Sequence, residues 1–178
     1  MRKNWTKGGN FDEFLKNLIL LSPDDIVTRE STIIWKNFQP KFSVVSGLFN
    51  HPPFLKQSLV ELGKVAIQEK VNILELRKSI GGLFDGNIVK ELDLYQEAFE
   101  ELKKIEPTFE IRLIITAPKV SGTDPVVAQL NNYVFAKRYY DFVTGFDLVN
   151  EEDATEPIYY YKDLILKARE EDVKGGSK

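Results

Sequence analysis

The chain contains no cysteine and a single histidine, His51, among its 178 residues. Each shortage removes a class of chemistry. A catalytic zinc ion takes about three protein ligands, mostly His and Cys with a carboxylate or two, so a multi-histidine zinc site cannot be built from this composition. There is no thiol nucleophile and no disulfide, and only one imidazole is available as a general base. The chain also lacks an apolar run approaching the roughly 18 residues of a membrane span. Met1-Arg2-Lys3-Asn4-Trp5 leads into no apolar stretch of the kind that forms a signal peptide. At a net charge of −3, with no polybasic cluster, nothing advertises nucleic acid. What remains is a chain that is 43% hydrophobic and 29% charged, the composition of a globular domain large enough for its own core.

Two kinds of pattern follow one another. Up to about residue 70 the reading is helical. Asn10 ahead of Phe11, with Glu13 three positions on, resembles a capping arrangement for a helix running to about Leu21. Ser22-Pro23-Asp24-Asp25 reads as a second start, with proline at the first helical position and acids near the positive end. Ile34, Trp35, Phe38, Phe42, Val45 and Phe49 mark a further segment that Pro40 is expected to kink or restart. His51-Pro52-Pro53 stops it, and a helix follows from Phe54 to Gln68. We therefore expect an N-terminal helical, flap-like region over 1–70.

Thereafter strands and helices alternate. Strands are expected at Val71–Arg77, Phe109–Thr116 and Phe142–Val149, with helices at Ile88–Ile105, from the Asp124-Pro125 cap to Tyr140, and from Pro157 to Glu170. Strand starts recur about every 35 residues, the size of a βα unit, and right-handed crossovers make such strands parallel neighbours. The expectation is three βα units over 71–171, with 172–178 a disordered tail. The third strand ends in Asp147-Leu148-Val149-Asn150-Glu151-Glu152-Asp153. Parallel α/β proteins bind ligands at such C-terminal strand ends, which makes this acidic run the leading candidate site. Glu75, Arg77, Glu110, Arg112 and Asp147 interrupt otherwise apolar strands. For Glu110 and Arg112 the preferred reading is a place near strand ends with pairing across the sheet. For Glu75, Arg77 and Asp147 that reading stands level with a polar layer beneath a ligand site.

Four segments, in order, resemble the adenosine deaminase-related growth factors, the secreted branch of the adenosine deaminases. They are Phe11-Asp12-Glu13-Phe14-Leu15 leading to Ile33-Ile34-Trp35-Lys36-Asn37-Phe38; Ser46-Gly47-Leu48-Phe49 with Pro53-Phe54; Ile73-Leu74-Glu75-Leu76-Arg77; and Gly145-Phe146-Asp147-Leu148-Val149 with Glu151-Glu152. The resemblance implies a partial (β/α)8 TIM-type barrel, from the first barrel helix to the fourth strand. The reaction it implies is hydrolysis of adenosine to inosine and ammonia, with zinc activating water and a glutamate moving protons. By the same resemblance Trp35 is a flap aromatic over the nucleoside, Asp147 supports the pocket, and Glu151 follows a position where the family usually has glycine. Here that position is Asn150, whose side chain is expected to hinder close approach to the purine. Thr116-Ala117-Pro118 stands in place of a more polar, histidine-containing stretch.

The family's zinc-binding histidines and its His-Ala-Gly-Glu motif have no counterpart in this sequence, so no cofactor and no catalytic residue are assigned within it. The expected function is accordingly a deaminase-like domain without turnover as this chain. The alternative is a growth-factor-like binding protein that keeps the scaffold. Adenosine, bound weakly, and a protein partner or self-association through open sheet edges are the expected partners. An extracellular location is implied by the family, together with an Asn4-Trp5-Thr6 glycosylation sequon. A small domain binding Mg²⁺ and a phosphate ester at the acidic run is a third reading, but Gly81-Gly82 is not a phosphate loop.

Overall fold

In the computed structural model of the protein, residues 11–23, 27, 30–153 and 155–174 are described. The expected features at Asn4, Asn10, Asp24-Asp25 and 175–178 lie outside them. The chain divides into two units, one ending at Phe49 and the other beginning at Asn50.

The first unit contains helices α1 (Phe11–Ile19) and α2 (Ser31–Phe49), joined by a Lys41 Nζ bond to the Asn17 carbonyl at 3.0 Å. Of the two expectations for Pro40, a kink or a restart, the restart does not occur: α2 runs on through it. Proline removes one backbone donor from a helix. Here the turns around it are tied by aromatic edges, Trp35 on Phe38 at 5.7 Å and Phe38 on Phe42 at 4.7 Å between ring centroids. No described residue of α2 is fully buried.

The second unit is α3 (Pro52–Gln68), β1 (Ile73–Lys78), α4 (Ile88–Ile105), β2 (Glu110–Pro118), α5 (Thr123–Tyr139), β3 (Val143–Val149) and α6 (Lys162–Lys174). Helix starts follow local chemistry. Pro52 and Pro53 fill the first turn of α3, where backbone donors are not needed. Asn87 caps α4 by accepting from the Lys90 amide at 3.1 Å. Asp124-Pro125 does not cap α5; the cap position is Gly122 at φ 86°, and the Asp-Pro pair falls inside the first turn. The last helix extends to Lys174, four residues past its expected end.

The strands form one parallel sheet in the order β1-β2-β3, as the strand–helix alternation implies. Period-two alternation then sorts the side chains between the two faces. On one face Leu74, Leu76, Ile111, Leu113, Ile115, Ala117, Phe146 and Leu148 pack against the helices. There α3 supplies Leu55 and Leu59, α4 Tyr95 and Leu102, α5 Val126 and Leu130, and α6 Ala168. On the other face lie Ile73, Glu75 and Arg77, opposite Glu110, Arg112 and Ile114 in register. Beyond them Thr116 sits opposite Asp147. The fold is α/β, three parallel strands clothed by helices on one side, the arrangement of an arc of a TIM-type barrel whose uncovered face is polar.

Candidate functional site

The uncovered face carries its charge in two places. Near the start of β2, Arg112 bonds Glu110 two residues back, with Nη2 at 2.8 Å and Nε at 3.2 Å from one carboxylate oxygen. This pair runs along its own strand rather than across the sheet, and Glu75, exposed, stands opposite Arg112 in register. The second place is the C-terminal edge. Arg77 on β1 reaches over the central strand to Asp147 on β3, Nε to Oδ2 at 2.9 Å, joining two predicted residues seventy positions apart. Asp147 is opposite Thr116, and the hydroxyls of Thr116 and Ser79 are 3.0 Å apart. All three strands therefore contribute a polar group to one edge.

The loops at this edge are stapled by side chains that the sequence reading did not single out. After β1, the backbone amides of Gly81 and Leu83 donate to Glu91 Oε2 at 2.8 and 3.2 Å, and Glu91 is wholly buried. Gln129 grips Ile80 from both sides, accepting from its amide at 3.3 Å and donating to its carbonyl at 2.7 Å. After β2, Lys119 is buried at 4% exposure and its ammonium donates to Glu152 in the loop after β3. Burial marks out Glu91 and Lys119, and the apolar periodicity of α4 around Glu91 is the hint the sequence offers.

The acidic loop itself turns at Asn150, whose φ of 100° lies in the region that favours glycine. Its Oδ1 accepts from the Glu151 amide at 2.8 Å, and the Thr155 hydroxyl donates to the Glu151 carbonyl. Glu151 Oε1 is buried and has no hydrogen-bond partner among the described residues, a carboxylate oxygen left ready to accept. Trp35 belongs to the first unit, where it is half-buried and its indole Nε1 is likewise shielded without a partner.

The donor set does not fit a zinc ion. Among the described residues no three His, Cys, Asp or Glu side chains converge, and His51 is an exposed residue at the N-cap of α3. A cleft of about 510 Å³ at the loops after β2 and β3 is lined by Lys119, Gly122, Thr155 and Tyr161, and one of about 400 Å³ lined by Lys103, Glu110, Arg112, Tyr139 and Asp141 lies at the opposite end of the strands. In parallel βα folds that end serves stability rather than chemistry. Among the described residues no helix is long and apolar enough to cross a membrane.

A parallel βα arc with a stapled polar edge is a scaffold for many functions, and comparison with known proteins narrows the choice. An adenosine deaminase of Lutzomyia longipalpis is 33% identical over 146 residues, 78% of this chain and 29% of the relative. One of Phlebotomus duboscqi is 30% identical over 177 residues, 95% and 34% respectively. The chain is homologous to the adenosine deaminases. Adenosine deaminase 2-A of Danio rerio adds 28% identity over 172 residues, 92% of this chain and 34% of that protein. No protein-family model matches the chain. These 178 residues are thus an adenosine deaminase-like domain spanning about a third of the length of the curated relatives they match.

Proposed function

We propose that this domain forms the nucleoside-side wall of an adenosine deaminase site and has no turnover as the 178-residue chain. The observation that carries the reading is the Arg77–Asp147 pair at the C-terminal strand edge, beside a turn that leaves Glu151 Oε1 free to accept. Asp147, held by Arg77, supports the pocket, and the Asn150–Glu151 turn faces the base. In the full reaction zinc supplies an activated water, but these residues offer it no ligand set, and their part is to bind and orient a purine nucleoside.

The test is adenosine-to-inosine conversion by the purified chain with zinc supplied, alongside calorimetry with adenosine. No turnover and weak, saturable adenosine binding are expected. Turnover that persists after His51→Ala would overturn the ligand argument. A second reading, a growth-factor-like binding protein retaining the scaffold, is supported by the exposed apolar side chains Phe42, Leu48 and Phe14 of the first unit. A stable fold that takes up no adenosine at millimolar concentration would favour it. Secretion is part of either reading and is checked by glycan occupancy at Asn4 in a secreting host.

A further inference from the structure

Lys119 and Glu152 form an unequal pair. The lysine side chain is 1% exposed and the glutamate side chain 72%. An exposed carboxylate is solvated equally well in many positions, whereas a buried ammonium without a partner is costly. The pair therefore acts in one direction. Lys119 is anchored at the end of β2 by its own burial, and the loop after β3 must come to it. That loop is short, and the clamp falls one residue beyond Glu151. On the near side Asn150 is bonded to the Glu151 amide, and on the far side Thr155 is bonded to the Glu151 carbonyl.

We infer that Lys119 is a positioning residue: by holding Glu152 it fixes the Asn150–Glu151 turn against the end of β2 and sets where the unpartnered Glu151 carboxylate oxygen meets a nucleoside. The inference rests on the reading of Asn150 and Glu151 as the base-side wall. A lysine serving stability alone would have no reason to act on ligand binding, so the two roles separate experimentally.

The informative variant is Glu152→Gln, because the substituted side chain is itself exposed and keeps its shape while losing the charge that pairs with Lys119; Lys119→Met removes the buried charge as well. Amide exchange and adenosine-induced amide shifts are followed by NMR in the whole chain. Exchange over residues 150–156 is expected to accelerate about tenfold in either variant and no further in the double variant. Exchange in α4 should be unchanged, and the adenosine dissociation constant should rise at least fivefold. Unaltered exchange in Glu152→Gln overturns the clamp. Faster exchange with unaltered adenosine affinity overturns the positioning role and leaves a purely structural lysine. If the unmodified chain shows no adenosine response at 10 mM, the nucleoside reading fails and with it the role of Lys119 in binding. The exchange data then report on the clamp alone.

Discussion

Asn150 holds a backbone conformation that costs a non-glycine residue about 1–3 kcal/mol, partly recovered through its bond to the Glu151 amide. Asn150→Gly relieves the strain but loses that bond and adds freedom to the unfolded chain. The balance is a small expected gain, below about 1 kcal/mol, read as a higher urea midpoint at unchanged slope. A lower midpoint would mean that the turn is not strained. The same substitution removes the side chain expected to hinder the purine, so adenosine affinity should rise with stability. Arg77 and Asp147 behave differently. Their side chains are 62% and 40% exposed, and exposed pairs contribute about 0–1 kcal/mol. Arg77→Met should therefore leave the thermal midpoint within about 4 °C while weakening adenosine binding; a large loss of stability would make the pair a structural one. The sequence displayed Asp147 and Asn150 plainly, because both interrupt a recognisable strand-end pattern. It left the role of Arg77 open, since nothing local states that its guanidinium crosses a strand.

The helices meet at two contacts that can be tested. Gly63 on α3 faces Leu102 on α4 so closely that a Cβ would lie 2.2 Å from Leu102 Cδ1. Alanine improves helix propensity by about 1 kcal/mol, but Leu102 is fully buried and cannot swing away, and overpacking costs about 1–3 kcal/mol. Gly63→Ala is expected to destabilise, and the added Leu102→Val to recover part of the loss. Additive losses in a denaturation cycle would show that the two residues do not collide. The second contact ties α5 to α4: the Tyr140 hydroxyl donates to Asp93 Oδ1 at 2.8 Å. Burial, and then the Asp93 carboxylate, push the Tyr140 phenol up to about 12, from an ordinary value of about 10. Between those values the unfolded chain has released this proton and the folded chain has kept it. This contribution is complete below about pH 10 and is lost as pH rises towards 12. Tyr95, raised by burial and then by the charge of Glu91, adds to the same loss. The stability of Tyr140→Phe should fall less steeply across this window; an identical slope would exclude the coupling. The existence and kind of these elements were legible from periodicity and from Gly and Pro punctuation. The α5 cap was not, because Asp124-Pro125 satisfies the capping pattern while the backbone turns two residues earlier, at Gly122.

For the molecule as a whole, the sheet ends at β1 on one side and β3 on the other; among the described residues no further strand pairs with either outer edge, and such edges are a template for adding strands. With the polar face uncovered as well, the purified chain is expected to associate with rising concentration, measured by sedimentation velocity. A monodisperse monomer at high concentration, with near-global exchange protection in all three strands, would contradict this. The sequence by itself determined the parallel order of three βα units and the family, because these depend on spacing and local pattern. Only the tertiary structure decided that α3 packs with the sheet, that Arg77 pairs with Asp147, and that Glu91, Gln129 and Lys119 staple the edge loops. Arg77 with Asp147, Gln129 with Ile80 and Lys119 with Glu152 join residues 70, 49 and 33 positions apart. The hold of Glu91 and Lys119 comes from burial, a property a side chain acquires only when distant elements close over it.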